Sequence, residues 1–317
     1  MMGPGAYSGG GMPETTRILP FDDEAISEAA RLIGEGQPVA VPTETVYGLA
    51  ADATNAEAVA RIYEAKGRPS FNPLIVHVPD LAAAERIGEF DDDACSLAVA
   101  HWPGPLTLVV PLRADAPIAA LVTAGLPTIA LRVPAHPAMQ ALLHATGKPL
   151  AAPSANASGS ISPTRAGHVI KSLGGRIPLI IDGGRTEKGL ESTILAVTGG
   201  LLRLLRRGPI EIPHAALAEA GTIEAPGQLA SHYAPSKPLR LRAAQAEGDE
   251  YLICFGTVEG DANLSPSEDF VEAAANLFDL LHKADSSDKP RIAIAPVPDE
   301  GLGAAINDRL CRAAAPR

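Results

Sequence analysis

Apolar residues recur at helical spacing over 22–35, where Ile26, Ala29, Ala30 and Ile33 share one side and Gly36 supplies a stop. A short apolar run at 38–41 follows as a strand. The spacing predicts a second helix over 56–66, with Ala58, Val59, Ile62 and Tyr63 on its buried side and Gly67 at its end. Strands at 74–78, 106–112, 128–133, 150–152 and 179–182 then alternate with helices at 91–101, 137–146 and 164–173. Segments 192–198 and 201–205 flank Gly199-Gly200 as a hairpin. Strands punctuated by helices predict an α/β fold with a twisted sheet that is mixed rather than all parallel.

The pattern changes past residue 210. Residues 210–217 read as a short helix, and 225–238, with Pro226, Gly227, Pro235 and Pro238, read as an ordered linker. Beyond it, strands at 239–242, 251–255 and 292–295 and helices at 267–283 and 302–314 predict a small Rossmann-like α/β domain. The expected organisation is a disordered tail over 1–13, a large α/β domain over 14–218, a linker over 219–238 and the small domain over 239–317. Gly301-x-Gly303-x-x-Ile306 has part of a dinucleotide fingerprint, but lacks the third glycine and any room for the downstream acid. It reads as a loop and helix cap. No P-loop sequence occurs.

Composition narrows the class. The 317 residues are 46% hydrophobic but only 4% aromatic, so Ala, Leu, Val and Ile must fill the interior. No apolar run is long enough to span a bilayer, and the start lacks the charged and apolar blocks of a signal peptide. Cys95, Cys254 and Cys311 lie apart, which fits idle thiols in a reducing cytoplasm rather than a disulfide framework or a zinc site. The net charge of −11 argues against a protein that coats nucleic acid by general electrostatics. Its distribution is uneven: 160–207 holds eight Lys or Arg against three acids, and 14–64 holds ten acids against three Arg. An acidic shell with a locally basic segment suits a site for a small anion.

Candidate chemistry centres on 41–77, with an echo at Pro153-Ser154-Ala155-Asn156. Lys66-Gly67-Arg68 places two cations where a helix runs into a Pro-Ser loop, and a planar fork beside a mobile charge grips phosphates and carboxylates. Taken alone, the pair is more simply a solvated helix end. Asn72 between Pro69 and Pro73, and His77 closing the next strand, make it the edge of a pocket. Thr43 and Thr45 fit a strand exit, and Ser154 and Asn156 fit an Asx-type turn. Arg132, amid Ile129, Ala130, Leu131 and Val133, demands an anionic partner, either an internal carboxylate or a ligand. The same holds for Asp182-Gly183-Gly184 and Glu191-Ser192-Thr193 at strand ends, where α/β sheets hold ligands. There is no nucleophile elbow, no H-E-x-x-H and no Cys placed beside a His. Any chemistry would rest on positioning and charge stabilisation.

These residues carry a resemblance. Residues 42–49, Lys66-Gly67-Arg68, 72–77, Trp102-Pro103-Gly104-Pro105-Leu106-Thr107, 152–156 and Glu191-Ser192-Thr193 resemble the YrdC family of threonylcarbamoyl-AMP synthases, whose K-x-R and distant S-x-N are complete here. The linker from Ala225-Pro226-Gly227 to His232-Tyr233-Ala234-Pro235, followed by a small α/β domain, is similar to the longer two-domain form. The resemblance implies a cytoplasmic enzyme that joins L-threonine, bicarbonate or CO2, and ATP into threonylcarbamoyl-AMP and pyrophosphate. A tRNA threonylcarbamoyl-transferase complex would then modify tRNAs that read codons starting with A. It further implies Lys66 and Arg68 as the catalytic cations, and Thr45, His77, Arg132 and Ser192 around threonine, with Arg132 clamping its carboxylate. Around ATP it implies Arg68, Asn72, Thr128, Ala152, Ser154, Asn156 and Arg206, with Tyr233 closing over the site as part of a lid. Mg²⁺ is expected with ATP, and no protein ligands for it are implied.

The pattern departs from the family in places. Arg206-Arg207-Gly208-Pro209 stands where relatives have Arg-Pro-Gly, which makes Arg207 an alternative to Arg206, and Gln228 stands where Met is common. Two other readings remain at this stage: an RNA-binding module of the same fold without synthase activity, and a different carbamoyl-adenylate enzyme. The acidic total charge and scarce aromatics oppose the first, and no stable nucleic-acid binding is expected.

Overall fold

The computed structural model describes residues 15–213, 215–218, 224–228 and 231–316. The tail expected over 1–13 and parts of the linker lie outside them. The chain begins with β1 (Arg17–Pro20), α1 (Asp23–Gly34), β2 (Val39–Pro42), β3 (Tyr47–Asp52), α2 (Ala56–Lys66) and β4 (Ile75–His77). There follow α3 (Leu81–Glu85), α4 (Asp92–His101), β5 (Leu106–Pro111), α5 (Ala120–Thr123), β6 (Thr128–Arg132) and α6 (Pro137–Thr146). Next come β7 (Leu150–Ala151), α7 (Ala166–Leu173), β8 (Leu179–Asp182), β9 (Thr193–Thr198), β10 (Leu201–Arg206) and β11 (Ala216–Leu217). These strands form one mixed sheet in the order β1-β8-β2-β3-β7-β4-β6-β5-β9-β10-β11. The rest of the chain builds β12 (Leu239–Arg240), β13 (Glu250–Cys254), β14 (Ala262–Asn263), α8 (Phe270–Asp285), β15 (Arg291–Ile294) and α9 (Leu302–Ala314). Its four strands pair in parallel in the order β12-β15-β13-β14, as a Rossmann-like sheet requires.

Local chemistry explains the elements that matter for the site. Asn55 caps α2 by accepting from the amides of Glu57 and Ala58, and Gly67 ends it in the left-handed region at φ +60. That glycine turns the chain so that Lys66 and Arg68 leave the helix end separately. The hairpin β9–β10 turns through Gly199 and Gly200, both at positive φ. Gly301 opens α9 at φ +52, and a Cβ on Gly303 would lie 2.1 Å from the carbonyl oxygen of Pro298. The second glycine is thus required for close backbone packing.

Residues 210–217 do not form the expected helix. Both backbone groups of Ile210 are bonded to the Thr193 hydroxyl, Pro213 has no N–H to give, and Ala216–Leu217 instead extends the sheet beside β10. Strand β3 escapes the periodicity because it is buried on both faces and its Gly-Leu-Ala-Ala run does not alternate. β1, α3, α5 and β14 are also additions to the sequence reading.

Alternate residues of the central strands face two different cores. On one side Leu49, Val76, Leu108, Leu131 and Leu195 pack under helices that include α2 and α7. On the other side the apolar surface is split. Val39, Val41, Ala50 and Leu150 pack under α1 and α6, while Ile75, Val109, Ala130 and Ile194 pack with Leu205 and Ala225. The polar side chains of the site fill the gap between these two clusters.

The small domain packs against the sheet domain through α8. Arg165 pairs with Asp279 at 2.8 Å, and His168 stacks on His282 with ring centroids 3.8 Å apart. A Cβ on Gly189, at φ +68, would lie 2.5 Å from the Cα of Ala275. Gly147 has a similar φ of +60 but open space around it. Gly147→Ala should therefore lose only the conformational term, about 1–2 kcal/mol, while Gly189→Ala should add about 1–3 kcal/mol for the overlap. Denaturant unfolding of both variants checks this; equal losses would mean that the interface gives way at no cost.

Candidate active site

The site follows from strand register. His77 lies beside Arg132 in the β4–β6 pair, and Thr107 of β5 lies beside Ile194 in the β5–β9 pair. Two residues further along each strand the same face carries Ile75, Ala130, Val109 and Ala196. The sheet face thus changes from apolar to polar over one row, at His77, Arg132 and Thr107, and Ser192, just before β9, adds its hydroxyl beside them. The Thr107 and Ser192 hydroxyls lie 2.7 Å apart. Around this row closes a cavity of about 40 Å³, lined by residues that include Thr45, Arg68, Ala152, Ser154, Arg206 and Tyr233.

The K-x-R and S-x-N segments meet at one edge. Lys66 is buried, and its Nζ donates to the carbonyl oxygens of Ser154 and Asn156, each at 2.5 Å. Arg68 donates to the carbonyls of Asn72 at 3.2 Å and Pro73 at 2.9 Å. Arg206 donates to the Ser192 carbonyl and hydroxyl, both at 3.0 Å. Among the described residues, none of these three cations has a carboxylate at ion-pair distance. Burial, and then the neighbouring Arg68, hold the Lys66 ammonium well below the usual lysine range. Burial pushes Arg68 down to about 10 and lowers Arg206 as well.

Arg132 differs. Its guanidinium meets Glu44 at 2.6 Å, Thr45 Oγ1 at 3.0 Å and the Gly104 carbonyl at 3.2 Å. The internal carboxylate that a charge in this strand demands is therefore present. Three of the five guanidinium N–H groups are used, and two remain for a ligand. Next to it, burial followed by Arg132 pushes His77 down to about 3, so its imidazole is neutral near pH 7. Its Nδ1 has no hydrogen-bond partner, and neither do Asn72 Oδ1, Asn156 Oδ1, His232 Nδ1 or the Tyr233 hydroxyl. Three of the five, on His77, His232 and Tyr233, belong to residues that line the cavity, and orphaned polar atoms there are a sign of unmet ligand contacts.

Of the residues singled out in the sequence, Thr45, Arg68, His77, Arg132, Ala152, Ser154, Ser192, Arg206 and Tyr233 line the cavity. Lys66, Asn72 and Asn156 stand directly behind through the contacts above. Thr128 does not join them: it starts β6, opposite Pro111, at the far end of the strand from Arg132. Arg206 rather than Arg207 turns inward, since Arg207 is exposed and gives only its carbonyl, to Arg309. Gln228 caps its own loop, accepting from the amides of Glu224 and Ala225. Glu44, Thr107, His232 and Arg309 complete the site without having been assigned roles. The signal for Arg309 was there, because it lies three residues after Ile306 on the apolar side of its helix.

The described residues contain no group of three His, Cys, Asp or Glu able to hold a metal ion, and no helix long and apolar enough to cross a membrane. Glu191, which lines the cavity, and Glu44, which stands behind Arg132, are each paired to an arginine.

With this geometry in place, comparison with known proteins is informative. The family model described as "Telomere recombination" (Sua5, YciO and YrdC) matches residues 31–208, and the model for the threonylcarbamoyl-AMP synthase C-terminal domain matches 194–315. The threonylcarbamoyl-AMP synthase of Bacillus subtilis is 40% identical over 96% of this chain and 97% of its own length. That of Pyrococcus abyssi is 38% identical over 92% and 95% respectively. The crystal structure of P. abyssi Sua5 complexed with L-threonine superposes with a TM-score of 0.85 at 36% identity, covering 94% of this chain and 96% of that one. E. coli YciO, at 22% identity and a TM-score of 0.57, shares the fold of the larger domain. The chain belongs to the Sua5/YciO/YrdC family, in the two-domain form of the threonylcarbamoyl-AMP synthases.

Proposed function

We propose that this protein is an L-threonylcarbamoyladenylate synthase. The observation that carries the reading is the trio Lys66, Arg68 and Arg206, buried without a carboxylate among them, beside a polar sheet row that holds Arg132. Such a cluster fits a polyphosphate on one side and an amino-acid carboxylate on the other.

In this reaction the threonine amine adds to CO2, forming an N–C bond and releasing a proton. A carbamate oxygen then bonds to the α-phosphorus of ATP while the bond to the β-bridging oxygen breaks, and the electron pair leaves on pyrophosphate. No protein nucleophile is needed. Lys66 has one ammonium N–H left after its two carbonyl contacts, and Arg68 and Arg206 flank the same space. They would offset charge as it builds on the departing phosphates. The two spare N–H groups of Arg132 would take the threonine carboxylate, with Thr45, His77 and Ser192 near its polar groups. Asn72, Ala152, Ser154 and Asn156 would border the nucleotide. Thr128 reaches it only if the nucleotide extends along β6.

Mg²⁺ would enter on the phosphates of ATP, since Glu191 at the cavity and Glu44 behind Arg132 are already engaged. The linker would act as a lid. His232 and Tyr233 lie against the cavity, and ligand pockets are commonly about 300–1,000 Å³, far above the 40 Å³ present here. Tyr233 stands at φ +63, a strained state for a tyrosine and a natural point of release. The product would pass to a transferase acting on tRNA.

Pyrophosphate release from ATP should require threonine and bicarbonate together; equal release with threonine omitted would sink the assignment. Arg132→Ala should weaken threonine binding far more than ATP binding in direct titration. It should also cost about 3–5 kcal/mol of stability by leaving Glu44 buried and unpaired. Because burial lowers the Lys66 pKa, kcat/KM for ATP should fall as pH rises through a value below the ordinary lysine range. In Lys66→Arg that alkaline limb should move up; an unmoved limb would remove Lys66 from the assignment.

A further inference from the structure

The small domain packs against cavity-lining residues, Phe278 against Tyr233 among them, and Arg309 ion-pairs with the cavity-lining Glu191. Arg309 of α9 is fully buried, an expensive place for a guanidinium, and it makes contacts to three different parts of the chain. Its Nε donates to Glu191 Oε2 at 2.8 Å, and its terminal nitrogens donate to the Arg207 carbonyl at 2.8 Å and to Asp308 Oδ2 at 2.7 Å; Asp308 keeps a second cation in Arg312, whereas Glu191 has Arg309 as its ion-pair partner among the described residues. Its guanidinium lies over the Tyr233 ring, 5.2 Å from the centroid. The other oxygen of Glu191 accepts from the Ser162 hydroxyl. Farther along the same helix end, the Arg312 carbonyl accepts from the His232 amide at 3.2 Å.

Glu191 is the important partner. It lines the cavity, it precedes Ser192, whose carbonyl and hydroxyl hold Arg206, and its negative charge is near enough to favour the Arg206 cation without an ion pair to it. A carboxylate there that lacked its own cation would turn to Arg206 and repel the phosphates of an incoming nucleotide. We infer that Arg309 is a positioning residue by which the C-terminal domain holds Glu191 away from Arg206 and seats Tyr233 over the cavity. The small domain thus keeps Arg206 available to a nucleoside triphosphate. This deepens the synthase reading and rests on it only in naming that nucleotide.

The test is direct titration of the full-length protein with ATP and, separately, with threonine, using Arg309→Met and the double variant Glu191→Gln/Arg309→Met. Arg309→Met should weaken ATP binding by about tenfold or more, the usual effect of leaving one member of a buried charge pair behind. Threonine binding should change far less. The double variant, which has no stranded carboxylate, should recover most of the ATP affinity, and Arg309→Lys should fall between wild type and Arg309→Met. Equal loss for both ligands, or a double variant as impaired as the single, would reduce Arg309 to a packing residue and overturn the inference. If Arg309→Met does not fold, Glu191→Gln/Arg309→Met against Glu191→Gln alone decides: similar ATP affinity supports the inference, and a large further loss overturns it. A wild-type protein that fails to bind ATP at all would count against the synthase reading instead.

Discussion

Three buried cations without a carboxylate set the terms for the rest of the molecule. Lys66, Arg68 and Arg206 are solvated by backbone carbonyls in place of water. Carbonyl dipoles stabilise a charge but do not cancel it, so the fold carries an electrostatic debt that an anion relieves on binding. Each carbonyl must be held still to do this. That explains the proline-bracketed loop at 69–73 and the tight Ser154–Asn156 turn. It also explains the lowered pKa of Lys66: burial without an anion, and then the neighbouring Arg68, weaken its hold on the ammonium proton.

The sheet domain and the small domain share this task unequally. Register places the polar row of His77, Arg132 and Thr107 in the gap between two apolar clusters, and a hydroxyl contact from Thr107 brings Ser192 to it. The negative groups that such a gap also collects are neutralised one by one. Glu44 is held by Arg132 within the sheet domain, and Glu191 is held by Arg309 from outside it. The second pair is the reason a remote helix matters to the cavity.

Much of this was readable from residue order. Helices with one apolar side and clear stops, such as 56–66 before Gly67, match the structure at both ends, and Arg132 stood out because a charge in an apolar strand needs a partner. What could not be read was the partner. Glu44 and Arg132 are far apart in sequence, and no local pattern says which carboxylate a buried arginine will meet. Arg309 and Glu191 show the same limit across two domains. Strand β3 was invisible because burial on both faces erases alternation, and 210–217 was misread because the Thr193 hydroxyl, a tertiary contact, overrides a local helical pattern. Thr128 was placed by motif alone, and strand geometry sets it apart from the enclosed cavity.

The contrast between an acidic exterior and a cationic interior has a kinetic side. A chain with net charge −11 repels a triphosphate at long range, and dissolved salt screens that repulsion within about 10 Å at 0.1 M. The cavity cations are buried, where screening is weak. Ionic strength should therefore act on the approach of the anion and scarcely on its hold, the reverse of a protein that steers its ligand with surface charge. An interior of this kind selects by dwell time rather than by capture.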